Sequence, residues 1–217
     1  MAAKWNFSTT KVSQSRRDFL TGIAGMAVLG ISVSSRAGES PKKIPVGAHP
    51  WVYAATQPQH DITPILEQIF ADMSYAGLDG IELMHTALRP EDSLERIEEL
   101  SKKNNLPVLG TSFGGDLWDR EKHKDILDDA ELVISRLARL GGKTLGTSVG
   151  SAGHQKTEAE LDAQADILRQ IIKIGEDRGV TLNLHNHTYE VENDLHDLKG
   201  TLERIPDMKL GPDLDWL

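Results

Sequence analysis

The sequence predicts an α/β fold, a parallel (β/α)8 barrel of which about six units are present. Three observations carry this expectation. Short apolar runs alternate with amphipathic stretches from Lys43 onward, helix–glycine–strand junctions recur, and a histidine-bearing strand end lies where such folds keep their chemistry.

In chain order the predicted strands are Val46–His49, Gly80–Met84, Pro107–Thr111, Thr144–Val149, Thr181–His185 and Lys209–Asp213. The predicted helices between them are Ile62–Ala76, Ser93–Asn104, Asp125–Leu140, Glu158–Arg178 and Leu195–Glu203. The fourth helix shows its period most clearly, with Leu161, Ala165, Leu168, Ile172 and Gly175 at i, i+3/4 spacing. Thr157 with Glu160 forms a capping box at its start, and Gly179 is its stop. The junctions Ala76-Gly77-Leu78, Leu140-Gly141-Gly142 and Arg178-Gly179-Val180 each put glycine where a chain leaves a helix in a left-handed conformation.

Regular β–α alternation implies parallel strands with helical crossovers, in a doubly wound sheet or a barrel. Val46-Gly47-Ala48-His49-Pro50-Trp51 lacks the G-x-G-x-x-G of a dinucleotide site, which favours the barrel. A full barrel has eight units and roughly 250 residues. The sequence therefore reads as cut short after its sixth strand, with two open edges that are a solubility hazard.

Bulk composition narrows the chemistry. With 39% hydrophobic and 26% charged residues the chain has globular composition. It contains no cysteine, so any metal must sit on His, Asp and Glu, which points to Mn, Mg, Zn or Co. The net charge is −9; residues 1–37 hold five basic groups and one acid, leaving −13 on the rest. A body that acidic repels a phosphate backbone, so nucleic acid is not an expected partner.

Residues 1–37 read as an address. Ser15-Arg16-Arg17-Asp18-Phe19-Leu20 resembles the twin-arginine export signal, an apolar Gly- and Ala-rich stretch runs from Phe19 to Val33, and Ser35-Arg36-Ala37 suits cleavage before Gly38. The apolar run is about fifteen residues, short of the ~20 that span a bilayer, so no stable membrane anchor is expected after cleavage. The expected partner is the twin-arginine export machinery, and the expected location is periplasmic or otherwise exported by that route. Residues 38–217 form the partial barrel.

Leu182–Glu190, reading LNLHNHTYE, is the most informative stretch. On a strand Asn183, His185 and His187 share one face and Leu182 and Leu184 the other. The leucines then pack under helices while the histidines face a central cavity. Each candidate has a structural alternative. His185 and His187 also suit loop hydrogen bonds, Asp213 a turn cap, and Glu190 a solvated loop acid. Glu82, between Ile81 and Leu83, faces the lumen if those two face the helices, and a buried carboxylate there needs a partner or a substrate hydroxyl. His49 and Trp118, after the first and third strands, suit either sugar contacts or loop packing.

These residues and their order resemble the sugar phosphate isomerase/epimerase family of xylose isomerase-like TIM barrels, in its exported, twin-arginine-signalled form. The resemblance rests on Ala76–Met84 (AGLDGIELM), Leu184–Glu190 (LHNHTYE) and Leu210–Leu217 (LGPDLDWL), and runs from about Ile44 onward. It implies a divalent metal held by four ligands on strands five to eight. Asp213, three residues before Trp216, matches the sixth-strand ligand. His185 stands where many relatives carry Glu. The other two ligands would lie on strands this sequence does not contain.

The resemblance implies a metal-assisted isomerase or epimerase on a carbohydrate or keto-sugar, in which His187 or Glu190 moves a carbon-bound proton through an enediolate. Metal would sit on His185 and Asp213, and substrate on Glu82, His49 and Trp118. A lyase or dehydratase on the same scaffold, or a non-catalytic carbohydrate-binding barrel, are alternatives. An abasic-site endonuclease is disfavoured by the charge. With half its implied ligands, the chain alone is expected to be inactive.

Overall fold

The computed structural model describes residues 44–216. The export-signal segment 1–37 lies outside the described residues, as does the boundary at Gly38. The strands are β1 (Gly47–Ala48), β2 (Gly80–Met84), β3 (Val108–Gly114), β4 (Thr144–Ser148) and β5 (Thr181–Leu184). The helices are α1 (Trp51–Ala54), α2 (Leu66–Tyr75), α3 (Ser93–Asn104), α4 (His123–Arg139), α5 (Glu158–Glu176) and α6 (Thr188–Arg204). All five strands are parallel and lie in chain order β1-β2-β3-β4-β5, the winding of a barrel rather than of a sheet that reverses direction.

The predicted sixth strand, Lys209–Asp213, forms only a single parallel bridge, between Leu184 and Leu210. Short main-chain bonds still hold it to β5, from Leu184 N–H to Lys209 O (2.8 Å) and from Gly211 N–H to Leu184 O (3.0 Å).

Period-2 alternation sorts the side chains. Ile81, Leu83, Val108, Leu145, Leu182 and Leu184 are buried against Ile69, Phe70, Ile97, Ile134, Leu168 and Ile171 from the helices, in one continuous core. Fully burying each such side chain contributes about 1.5–3 kcal/mol. Opposite this core the strands face the lumen. A register shift between Ile81 and Glu82 leaves Leu109 unpaired on β3. Its side chain covers Gly47 and Gly80, where any Cβ would collide with it, and so closes the floor of the lumen one strand step below Glu82.

Thr157 caps α5 with the expected box: its N–H donates to Glu160 Oε2 (2.7 Å) and Glu160 N–H donates to Thr157 Oγ1 (3.3 Å). Gly77, Gly141 and Gly179 all have positive φ at the helix-to-strand junctions. α6 departs from expectation. It starts at Thr188, seven residues before the predicted Leu195, and breaks at Glu192–Leu195, where Asn193, Asp194 and Leu195 take positive φ. The second half of α6 is pinned to α5 by a buried network: Lys156 Nζ to Asp197 Oδ2 (2.5 Å) and Gln164 Oε1 (2.7 Å), and Gln164 Nε2 to Asp197 Oδ1 (2.8 Å) and Thr201 Oγ1 (2.7 Å). Among the described residues no helix is long and apolar enough to cross a membrane.

Candidate active site

β5 delivers the candidate site to the C-terminal mouth of the strands. Leu182 and Leu184 are buried, and the same parity continues to Asn186, which is 6% exposed. Asn183, His185 and His187 take the other side. Gly146 on β4 pairs with Asn183 and marks the lumen: a Cβ there would lie 3.3 Å from Glu82 Oε1, 3.6 Å from Asn183 Oδ1 and 3.9 Å from His185 Cβ. Glu82 therefore reaches from β2 across β3 to Gly146 on β4.

His185 and His187 meet edge to face with ring centroids 4.9 Å apart, and His185 Nε2 lies 3.7 Å from Asp213 Oδ2. Asn186 holds Asp213 in place. Its Nδ2 donates to Asp213 O (3.1 Å) and its Oδ1 accepts from Asp213 N–H (2.9 Å), while Asp213 Oδ1 accepts from Asp215 N–H (3.0 Å). A buried amide on the apolar face of a strand needs such partners.

His187 is the N-cap of α6 and Glu190 its third helical residue. Glu190 is 1% exposed. It accepts from His187 N–H (2.6 Å), Val149 N–H (3.1 Å) and Ser148 Oγ (2.9 Å). Ser148 Oγ also meets Tyr189 Oη (2.6 Å) and His187 Nδ1 (3.2 Å), and Tyr189 Oη lies 3.2 Å from that nitrogen. The Tyr189 ring stacks on the His187 ring at 5.4 Å. Glu190 thus sits behind the imidazole as a buried anchor, held by three hydrogen bonds from the protein.

Burial lowers the pKa of His185, helped by His187 and opposed by Asp213 and Glu190; it lowers His187 too, opposed by Asp213. Both rings are therefore neutral at neutral pH, able to accept a proton or a cation. Burial raises Glu190 against the hydrogen bonds it accepts, and pushes Tyr189 up to about 12.

The opposite wall is less satisfied. His49 Nε2 contacts Ser112 Oγ (3.1 Å), and burial, then His185 and His85, lower its pKa to about 4. His85, just past β2, is also lowered to about 4, by burial and then Arg89. Its ring meets Phe113 edge-on at 5.4 Å, and its Nδ1 is buried with no hydrogen-bond partner. Glu82 is raised by burial alone. The Trp118 ring meets His154 (6.4 Å) and the Lys122 ammonium (6.0 Å), and its indole N–H is buried and unpaired.

The expected residues His49, Glu82, His185, His187 and Asp213 come together around the lumen, Glu190 stands behind them, and the Trp118 ring contacts are with His154 and Lys122. Sequence reasoning missed Ser148, Tyr189, Asn186, His85 and Ser112. Parity along LNLHNH was the available signal for Asn186, and position at a strand end the signal for Ser148 and His85. Among the described residues no three His, Cys, Asp or Glu gather as a metal cluster, so His185 and Asp213 stand as a pair.

Residues 70–217 match the family described as xylose isomerase-like TIM barrel. No curated protein matches the chain. Among solved structures it is similar to a 3-keto-D-glucoside 4-epimerase from E. coli, at 20% identity and TM-score 0.55, covering 78% of each chain. It is also similar to a D-allulose 3-epimerase from Methylomonas sp., at 18% identity and TM-score 0.61, covering 79% of this chain and 63% of that one. An L-ribulose 3-epimerase is similar at 21% identity and TM-score 0.60, covering 78% of this chain and 60% of that one. The chain thus spans less than two thirds of the last two proteins. At these identities the likeness shows a shared fold.

Proposed function

This chain belongs to the xylose isomerase-like TIM barrel family, and on that premise we propose that it is a sugar epimerase- or isomerase-type enzyme acting on a keto-sugar. The observation that carries the reading is the convergence of two neutral imidazoles, His185 and His187, with Asp213 and Glu82 at the luminal mouth. The epimerases it resembles act, by their names, on a 3-keto-D-glucoside and on D-allulose. In this proposal His187 takes the proton from the carbon beside the carbonyl through its Nε2, and the enediolate that remains is reprotonated on the other face or at the neighbouring carbon. Glu82 and His49 bind sugar hydroxyls, which relieves a carboxylate that has no partner of its own among the described residues. Trp118, engaged by His154 and Lys122, is left out of these contacts.

A divalent ion (Mn, Mg, Zn or Co) is part of the proposal. A neutral imidazole and a carboxylate 3.7 Å apart suit two positions on one ion, so His185 and Asp213 would hold it. When bound, it would supply positive charge beside the oxygen that becomes anionic. Two protein donors hold an ion weakly. That weakness favours one second reading, a non-catalytic carbohydrate-binding barrel, supported by the lack of a three-residue cluster among the described residues.

The test is incubation with D-allulose and related ketohexoses in the presence of each ion, with products separated by chromatography. Appearance of an epimer or isomer that depends on the ion supports the enzymatic reading. Saturable sugar binding with no product under any ion supports the second. Export by the twin-arginine route is also proposed, on Ser15–Leu20. A reporter fused to residues 1–37 should reach the periplasm, and should stay in the cytoplasm when both arginines are replaced by lysine.

A further inference from the structure

The hydroxyls around His187 leave little freedom in where its proton sits. Ser148 Oγ, Tyr189 Oη and His187 Nδ1 lie within hydrogen-bond reach of one another, at 2.6, 3.2 and 3.2 Å. Ser148 Oγ also reaches Glu190 Oε1 at 2.9 Å. Each hydroxyl has one proton to give. Glu190 receives two main-chain N–H groups and, as a carboxylate, only accepts, so the serine proton goes to it. Ser148 Oγ must then act as acceptor towards its other neighbours. The tyrosine proton goes to it across the shortest of these contacts, 2.6 Å. Both hydroxyl protons are now used, the Glu190 N–H at the helix start bonds the His187 carbonyl at 3.2 Å, and two contacts remain, each ending at His187 Nδ1. They are hydrogen bonds only if that nitrogen is the donor. The reverse assignment, with tyrosine donating to Nδ1, forces serine to donate to tyrosine and leaves Glu190 without it.

We propose that Ser148, its proton committed to Glu190, is a positioning residue that locks His187 in its Nδ1–H tautomer, with Tyr189 Oη as a second acceptor, leaving a lone pair on Nε2. Glu190 anchors the chain of donors from behind. Among the described residues Nε2 makes no hydrogen bond, and the ring is half-exposed, so the lone pair is free for a ligand. The arrangement follows the general pattern in which the bond made by one ring nitrogen sets the state of the other. The assignment deepens the reading of His187 as the proton-moving group, since only Nε2 is open to a substrate.

The test is the ring 15N shifts of His187 in the full 217-residue chain, without metal, at neutral pH. The Nδ1–H form should exceed the Nε2–H form by roughly fivefold, the ratio set by a net hydrogen bond of ordinary strength. The variants separate a tautomer lock from mere packing. Tyr189→Phe leaves Ser148 as acceptor and should keep the Nδ1–H form. Ser148→Ala frees the tyrosine proton to turn onto Nδ1 and should invert the ratio, and Ser148→Thr should restore it. Predominance of Nε2–H in the unaltered chain overturns the proposal, as does an unchanged ratio in Ser148→Ala. Should Ser148→Ala not fold, the unaltered chain and Tyr189→Phe decide. Sugar turnover is not read in this experiment, so a failure to convert sugars bears on the enzymatic reading alone.

Discussion

Ser148 and Glu82 face the same lumen under opposite conditions. On the β4–β5 side, Ser148, Glu190, Tyr189 and His187 Nδ1 form one connected set of hydrogen bonds that leaves His187 Nε2 open. On the β1–β3 side, Glu82 has no hydrogen bond among the described residues, and His85 Nδ1 is buried without one. Burying an unpaired polar group costs a few kcal/mol, and on the second wall His85 Nδ1 carries that cost. A satisfied network fixes one geometry; an unsatisfied one is completed by something that binds. On the proposed reading, one wall positions the imidazole and the other meets substrate hydroxyls.

Substitutions break this comparison in order of size. His187→Ala removes the proposed acid–base group, and the rate of sugar conversion should fall by about 10²–10⁴-fold with the fold intact. Retained turnover would move the chemistry to the other wall. Glu190→Ala leaves two main-chain N–H groups and a serine unpaired inside the protein, and should lower stability by roughly 2–4 kcal/mol in urea denaturation.

The other wall responds through pH. His49 and His85 stay neutral down to about pH 4 in the folded protein, whereas an unfolded imidazole takes its proton near 6.5. The unfolded chain therefore binds more protons as pH falls from about 6.5 to 4, and stability should decline across that window. His85 is flanked by Arg89 and Asp129, and His49 by His185 and His85, so these groups share in the slope. His85→Phe should flatten the decline, measured as thermal midpoint against pH.

Glu82→Gln gives the smallest shift in stability. Burial raises the Glu82 pKa, so the ionised form opposes folding at neutral pH. The glutamine variant should gain less than about 1 kcal/mol near pH 7. The gain should vanish as pH falls below the usual carboxylate range, while sugar binding weakens. A loss of stability would show instead that Glu82 belongs to the satisfied wall.

What the sequence revealed was what local patterns encode. Alternation along Leu182–His187 placed the two histidines, and the capping box at Thr157 and the glycine stops at 77, 141 and 179 placed the helix ends. Its failures were long-range or strained. Ser148 lies about forty residues from Glu190 and Tyr189, and a serine at a strand end signals nothing until the chain closes. The break in α6 passes through left-handed Asn193 and Asp194, which tolerate that conformation, and Leu195, which does not do so readily. The sixth strand shrank to a bridge at Leu210, because Asp213 is held by the Asn186 side chain rather than by a ladder of main-chain bonds. Glu190, expected to share in proton transfer, instead accepts from His187 N–H, Val149 N–H and Ser148 Oγ, the last two about forty residues away.

Solvent proton exchange at the substrate carbon tests the central claim most directly. With D-allulose in D2O and a divalent ion present, deuterium should enter at the carbon beside the carbonyl, and His187→Ala should abolish its entry. Sugar bound at the lumen with no deuterium taken up, or uptake unchanged in that variant, would contradict the account.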